Sequence, residues 1–74
     1  MEMQIVSPVS GVLEENYMRE SEFVILDQSI GIVRAEDDKL SLIQCHYEGR
    51  IKKVLVAKGE TAAEGMILAI IEVA

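Results

Sequence analysis

Residues 49–72, "GRIKKVLVAKGETAAEGMILAIIE", decide the fold. "RIKKVLVA" and "MILAIIEV", the latter running on to Val73, are short and rich in Val, Ile and Leu, as strands are. Lys58-Gly59-Glu60 and Glu64-Gly65 punctuate the space between them as turns. "RIKKVLVA" alternates only in part. "MILAIIEV" is an almost continuous apolar run, which suits a strand covered on both faces. "TAAEGM" (residues 61–66) is expected to hold one helical turn, closed at Gly65. No long segment carries a stripe at helical spacing, so a helical fold is a poor alternative.

Working outward, the same chemistry recurs in "MQIVSPV" (residues 3–9), "EFVILD" (22–27), "GIVRA" (31–35) and "KLSLIQCHY" (39–47). A shift of 38 residues lays Ile5 on Ile43, Gly11 on Gly49, Leu13 on Ile51 and Met18 on Val56. It continues through Glu22 on Glu60, Ile30 on Leu68 and Ile32 on Ile70. Two halves with one plan predict an all-β domain of two small interleaved sheets related by a quasi-twofold. The segment joining the halves, near residues 35–40, must then be a turn at one end.

Seventy-four residues are expected to form one domain, residues 1–74, because a core of this size does not divide further. With 50% hydrophobic residues the chain can bury a core, and only Tyr17, Phe23 and Tyr47 bring aromatic rings to it. The net charge of −6 argues against nucleic acid, which needs a basic face. Charge is uneven: residues 1–38 hold nine acids and two bases, residues 39–74 four acids and five bases. Arg50, Lys52, Lys53 and Lys58 are read as a solvated strand face, with a docking patch for an acidic partner as the alternative. The single cysteine, Cys45, gives no sign of an oxidising compartment. No charged leader opens the chain and no apolar run reaches membrane length, so a cytoplasmic location and no membrane partner are expected.

The midpoint turn carries the most specific chemistry. "AEDDKLSL", residues 35–42, puts Lys39 behind Glu36, Asp37 and Asp38. Lys39 is either a solvated lysine balancing acids or an amine that another protein modifies. Cys45 and His46 are neighbours, so on a strand they face opposite ways, and no second Cys or His exists to complete a metal site. Both are read as structural. No Ser-His-acid set or nucleotide loop is present, and the expectation is that the chain is not an enzyme. Glu14-Glu15 reads as a solvated face; Met1, Met3, Met18 and Met66 read as core or terminus.

Over residues 3–73 the chain resembles the biotinyl/lipoyl attachment domains, small swinging-arm carriers like the biotin carboxyl carrier protein. "SPVSGVL" (residues 7–13) is similar to that family's Ala/Ser-Pro-x-x-Gly-x-Val/Leu opening. Gly49, Ile51, Val54, Val56, Gly59, Glu60, Gly65, Leu68 and Ile71 match the frame of its closing segment. The resemblance implies a flattened β-barrel or sandwich of two small sheets, a barrel-sandwich hybrid, with the modified lysine on the hairpin joining the halves. There biotin-type domains have Ala/Ser-Met-Lys-Met and lipoyl-type domains Glu-x-Asp-Lys before a small residue. This chain has Glu36-Asp37-Asp38-Lys39-Leu40-Ser41, closer to the lipoyl order.

By this resemblance Lys39 is the site of covalent attachment, flanked by Asp38 and Leu40. The cofactor would be biotin or lipoate. The partners would be a biotin or lipoate ligase and a carboxylase or a 2-oxo acid dehydrogenase-type enzyme. The chain departs from the pattern in three places. Counting back from Gly49 puts the family's lysine on Asp38, and counting forward from Ser21 puts it near Asp37. Ser21 and Asp27 stand where the family has glycine, and methionines flanking the lysine are absent. These departures keep open a second expectation: a degenerate domain of the same fold, with no prosthetic group, acting as an interaction or structural module.

Overall fold

The computed structural model describes residues 1–73; the last residue of the expected domain, Ala74, lies outside the described residues. Eight strands run in order: β1 (Glu2–Val6), β2 (Gly11–Asn16), β3 (Phe23–Val24), β4 (Ser29–Arg34), β5 (Leu40–Gln44), β6 (Gly49–Val54), β7 (Thr61–Ala62) and β8 (Ile67–Val73). They form two four-stranded antiparallel sheets, β1-β8-β6-β3 and β5-β4-β2-β7, in a body of 37 × 20 × 17 Å. The all-β, two-sheet expectation is met. One strand in each half, β3 and β7, is only two residues long.

The quasi-twofold is written in the backbone. Ser21 and Asp27 have positive φ (74° and 66°), as do Gly59 and Gly65 (91° and 81°), their counterparts 38 residues on. Ser21 N–H donates to Ile51 C=O as Gly59 N–H donates to Leu13 C=O. Asp27 N–H donates to Cys45 C=O as Gly65 N–H donates to Ser7 C=O. So the two residues that replace the family's glycines keep the glycine conformation, a left-handed turn in which aspartate is better tolerated than most residues. "TAAEGM" is no helical turn. Thr61 and Ala62 are strand β7, and Gly65 makes the same reversal as Asp27.

The core follows the same arithmetic. Leu13 with Ile51, Met18 with Val56, Val24 with Ala62, Ile30 with Leu68, and Val33 with Ile71 are all buried. Alternate residues point inward from each sheet and interdigitate between them. β8 is less enclosed than its composition predicts. It buries Leu68, Ala69 and Ile71, while Glu72 stays exposed. Gly11 and Gly49 sit tight against the neighbouring strand of their own sheet: a Cβ there would lie 2.3 Å from Arg34 O and 2.2 Å from Glu72 O. Neither position tolerates a side chain.

Candidate functional site

β4 and β5 form the hairpin that joins the halves, with Arg34 paired to Leu40 and Val33 to Ser41. Ala35 N–H donates to Lys39 C=O, and Asp38 N–H donates to Ala35 C=O, both at 2.9 Å. These bonds close a loop of three residues, Glu36, Asp37 and Asp38. A turn followed by one left-handed residue is a common solution for such loops, and Asp38 supplies it at φ 63°. The apex is therefore acidic. Lys39 is the first residue of the returning strand side.

Lys39 reaches outward, with 84% of its side chain exposed. Asp37 Oδ2 lies 3.9 Å from its Nζ, and the Lys39 N–H donates to Asp37 Oδ1 at 3.2 Å. Exposed pairs at such distances hold little, about 0–1 kcal/mol. Asp38 accepts from Arg34 at 3.4 Å, and Arg34 Nε also donates to Glu14 Oε2 at 3.0 Å. The hydrogen bond and charge of Glu14, with Asp38 behind them, raise the Arg34 guanidinium further above its usual value. Arg34 thus ties the hairpin to β2, a role that no motif around residue 34 signals. Leu40 is exposed on β5 beside Lys39.

Glu14 occupies a bulge in β2, and Lys52 the equivalent bulge in β6. Lys52 pairs with Glu2 and Lys58 with Glu15, while Arg50 donates to Ser21 C=O at 2.6 Å. The hydrogen bond and charge of Lys52 lower the Glu2 carboxyl below its usual value, and Glu2 raises Lys52 in return. Of the basic run, Lys52 and Lys58 pair with acids and Arg50 holds a backbone carbonyl, while all four side chains, Lys53 included, lie on the exposed surface.

Cys45 is fully buried and donates to Tyr47 C=O at 2.9 Å, whereas His46 is exposed. Among the described residues no group of three or more His, Cys, Asp and Glu side chains is placed to hold a metal. A hollow of about 370 Å³ lies between the edge strands β1 and β5 of the two sheets. Val6, Pro8, Leu42, His46 and Tyr47 line it, and no reactive set gathers there. No helix of the described residues is long and apolar enough to cross a membrane.

No protein family description matches the chain, and no curated protein matches it either. Solved structures do. The chain is similar to part of the urea carboxylase of Kluyveromyces lactis, with TM-score 0.85 and 17% identity, covering 97% of this chain and 6% of that one. It is also similar to part of a single-chain, multi-domain long-chain acyl-CoA carboxylase, with TM-score 0.84 and 17% identity, covering 93% of this chain and 7% of that one. At this identity the shared property is the fold. The chain has the two-sheet architecture of a small segment within two much longer carboxylases.

Proposed function

We propose that this chain is a swinging-arm carrier domain in which Lys39 bears biotin through an amide bond and serves a carboxylase. One observation carries the reading: an amine with 84% of its side chain exposed stands at the hairpin joining the two halves of this fold. The likeness to parts of two carboxylases favours biotin and carboxyl transfer over lipoate and acyl transfer.

The site suits such a group. Attachment requires the Lys39 amine in its free-base form. Its lone pair forms the bond to an activated carboxyl carbon, the activating group leaves with its electron pair, and a proton passes to solvent. The Asp37 carboxylate, 3.9 Å away on the exposed surface, leaves the amine open to approach. Asp38 and Leu40 flank the amine and are what a ligase would meet beside it. Biotin, once bound, supplies a ring nitrogen able to carry a carboxyl group. The protein's own contribution is positional: a closed turn on a rigid two-sheet body keeps the amine outside the core and raises effective concentration at each active site visited. In this reading the chain catalyses nothing itself.

A second reading, an unmodified interaction module, is favoured by the apex, which Glu36, Asp37 and Asp38 occupy while Lys39 sits at the base of the loop. Reaction of the purified domain with biotin ligase, ATP and biotin separates the two. A streptavidin gel shift that Lys39→Arg abolishes supports carriage. No shift, from a ligase active on a control substrate, supports the module. A gain seen only with lipoate ligase would move the cofactor to lipoate and the partner to a 2-oxo acid dehydrogenase-type enzyme.

A further inference from the structure

The quasi-twofold supplies an internal control for surface chemistry. On the outer face of one sheet, cross-strand pairing sets two rows side by side: Glu2–Glu72–Arg50 and Gln4–Ile70–Lys53. On the other sheet the equivalent rows are Leu40–Arg34–Val12 and Leu42–Ile32–Glu15. Five of these six pairs differ in kind. Leucines replace Glu2 and Gln4, Val12 replaces Arg50, Arg34 replaces Glu72 and Glu15 replaces Lys53. Leu40 and Leu42 remain 62% and 60% exposed, although the same fold positions are polar in the other half. Neighbours across a strand pair lie close enough for these side chains to touch, so Val12, Ile32, Leu40 and Leu42 form a patch around the Arg34 stem.

Folding alone does not require leucine at positions 40 and 42, since the twin sheet carries Glu2 and Gln4 there. Its surroundings are acidic. Glu14, Glu15, Glu36, Asp37 and Asp38 border it, against Arg34 and Lys39, with Lys58 beside Glu15. A second copy of this chain is a poor occupant, because a twofold contact would set each acidic rim against its own kind.

We propose that the outer face of β4 and β5 docks a partner protein whose contact surface has an apolar centre and a rim of lysine and arginine. The patch begins at Leu40, next to Lys39, so a partner seated there has the lysine hairpin at its margin. The inference adds a recognition surface to the carrier reading without depending on modification of Lys39.

The test uses unmodified, isotope-labelled protein and needs no ligase, so its failure is distinguishable from failure of attachment. Amide shifts are followed during titration with an amphipathic Leu/Lys peptide and, separately, with its Leu/Glu counterpart. Binding of the cationic peptide, with shifts at Val12, Ile32, Arg34, Leu40 and Leu42 and none at Glu2, Gln4 or Arg50, supports the proposal. Leu40→Gln with Leu42→Gln keeps the charge and should weaken that binding about tenfold. Equal binding of the Leu/Glu peptide, equal shifts on both sheets, or no binding would overturn it. So would sedimentation equilibrium showing a dimer that the double variant dissolves. Should that variant fail to fold, the comparison of peptides and of sheets still decides.

Discussion

Ser7 and Cys45, 38 residues apart, do the same work at matching points of the fold. Both are fully buried, and each donates to the carbonyl two residues on: Ser7 Oγ to Val9 O at 2.7 Å, Cys45 Sγ to Tyr47 O at 2.9 Å. A lone cysteine beside a histidine invites a chemical role, but its twin shows a buried hydrogen-bond donor. Cys45→Ser should therefore cost less than about 1 kcal/mol in denaturant unfolding, because the hydroxyl repeats what Ser7 does. Cys45→Ala, which loses both volume and donor, should cost more, about 1–3 kcal/mol. The reverse order would remove the equivalence.

Glycines in this chain fall into two classes, and substitution separates them. At Gly11 and Gly49 a methyl group would overlap a backbone carbonyl that cannot move without opening a sheet. Alanine at either should destabilise by about 2 kcal/mol or more. At Gly59 a methyl would meet nothing, so Gly59→Ala pays only for the left-handed conformation, about 1 kcal/mol. Ser21→Gly relieves the same strain in the other half. It should be neutral or stabilise slightly, by up to about 1 kcal/mol, after the added chain entropy of glycine. Urea midpoints for the four variants check the ranking.

The Glu2–Lys52 pair joins β1 to β6 across the intervening β8, and its titration has a definite sign. Glu2 is lowered in the folded protein, so its contribution is present above the ordinary value of 4.5 and is lost as pH falls through the lowered one. Lys52 is raised, so its contribution holds below 10.5 and is lost as pH climbs through the raised value. Carboxyl-detected NMR should find the Glu2 midpoint below 4.5 and see it return towards 4.5 in Lys52→Gln. A midpoint unmoved by that change would show the pair is not formed in solution.

Arg34 bridges Glu14 and Asp38 on the surface. Exposed pairs contribute little to global stability, so Arg34→Gln should leave the urea midpoint almost unchanged. Its effect should be local: faster amide exchange at Asp38 and Lys39 than at Ile30 or Val33. Uniform acceleration throughout β4 would assign Arg34 to the stability of the sheet, not to the turn.

The repeat made much of this legible. The pairs Leu13–Ile51 and Ile30–Leu68 could be placed in the core because equal spacing with apolar matches leaves them equivalent inward positions. The same logic, carried further, would have corrected "TAAEGM". Shifted by 38 it lies on residues 23–28, most of the strand-like "EFVILD" with Gln28, and both segments are a two-residue strand and a left-handed turn. Alanine content pointed towards helix, and tertiary pairing with β2 prevailed. The position of Lys39 was less accessible. Counting from either end placed the family's lysine within the loop. Where Lys39 falls depends on how the loop closes, which Asp38 decides by taking a conformation no composition rule assigns it. The exposed leucines were visible as letters, but only strand register shows that Leu40 and Leu42 replace Glu2 and Gln4 on the opposite sheet.

The most direct test of the carrier account is the intact mass of the protein after co-expression with an active biotin ligase, beside Lys39→Arg and beside co-expression with lipoate ligase. The account predicts one biotinyl group on the wild-type chain, mapped to Lys39, and none on the variant. A wild-type chain that leaves both ligases at its bare mass, while a control domain is modified, contradicts it.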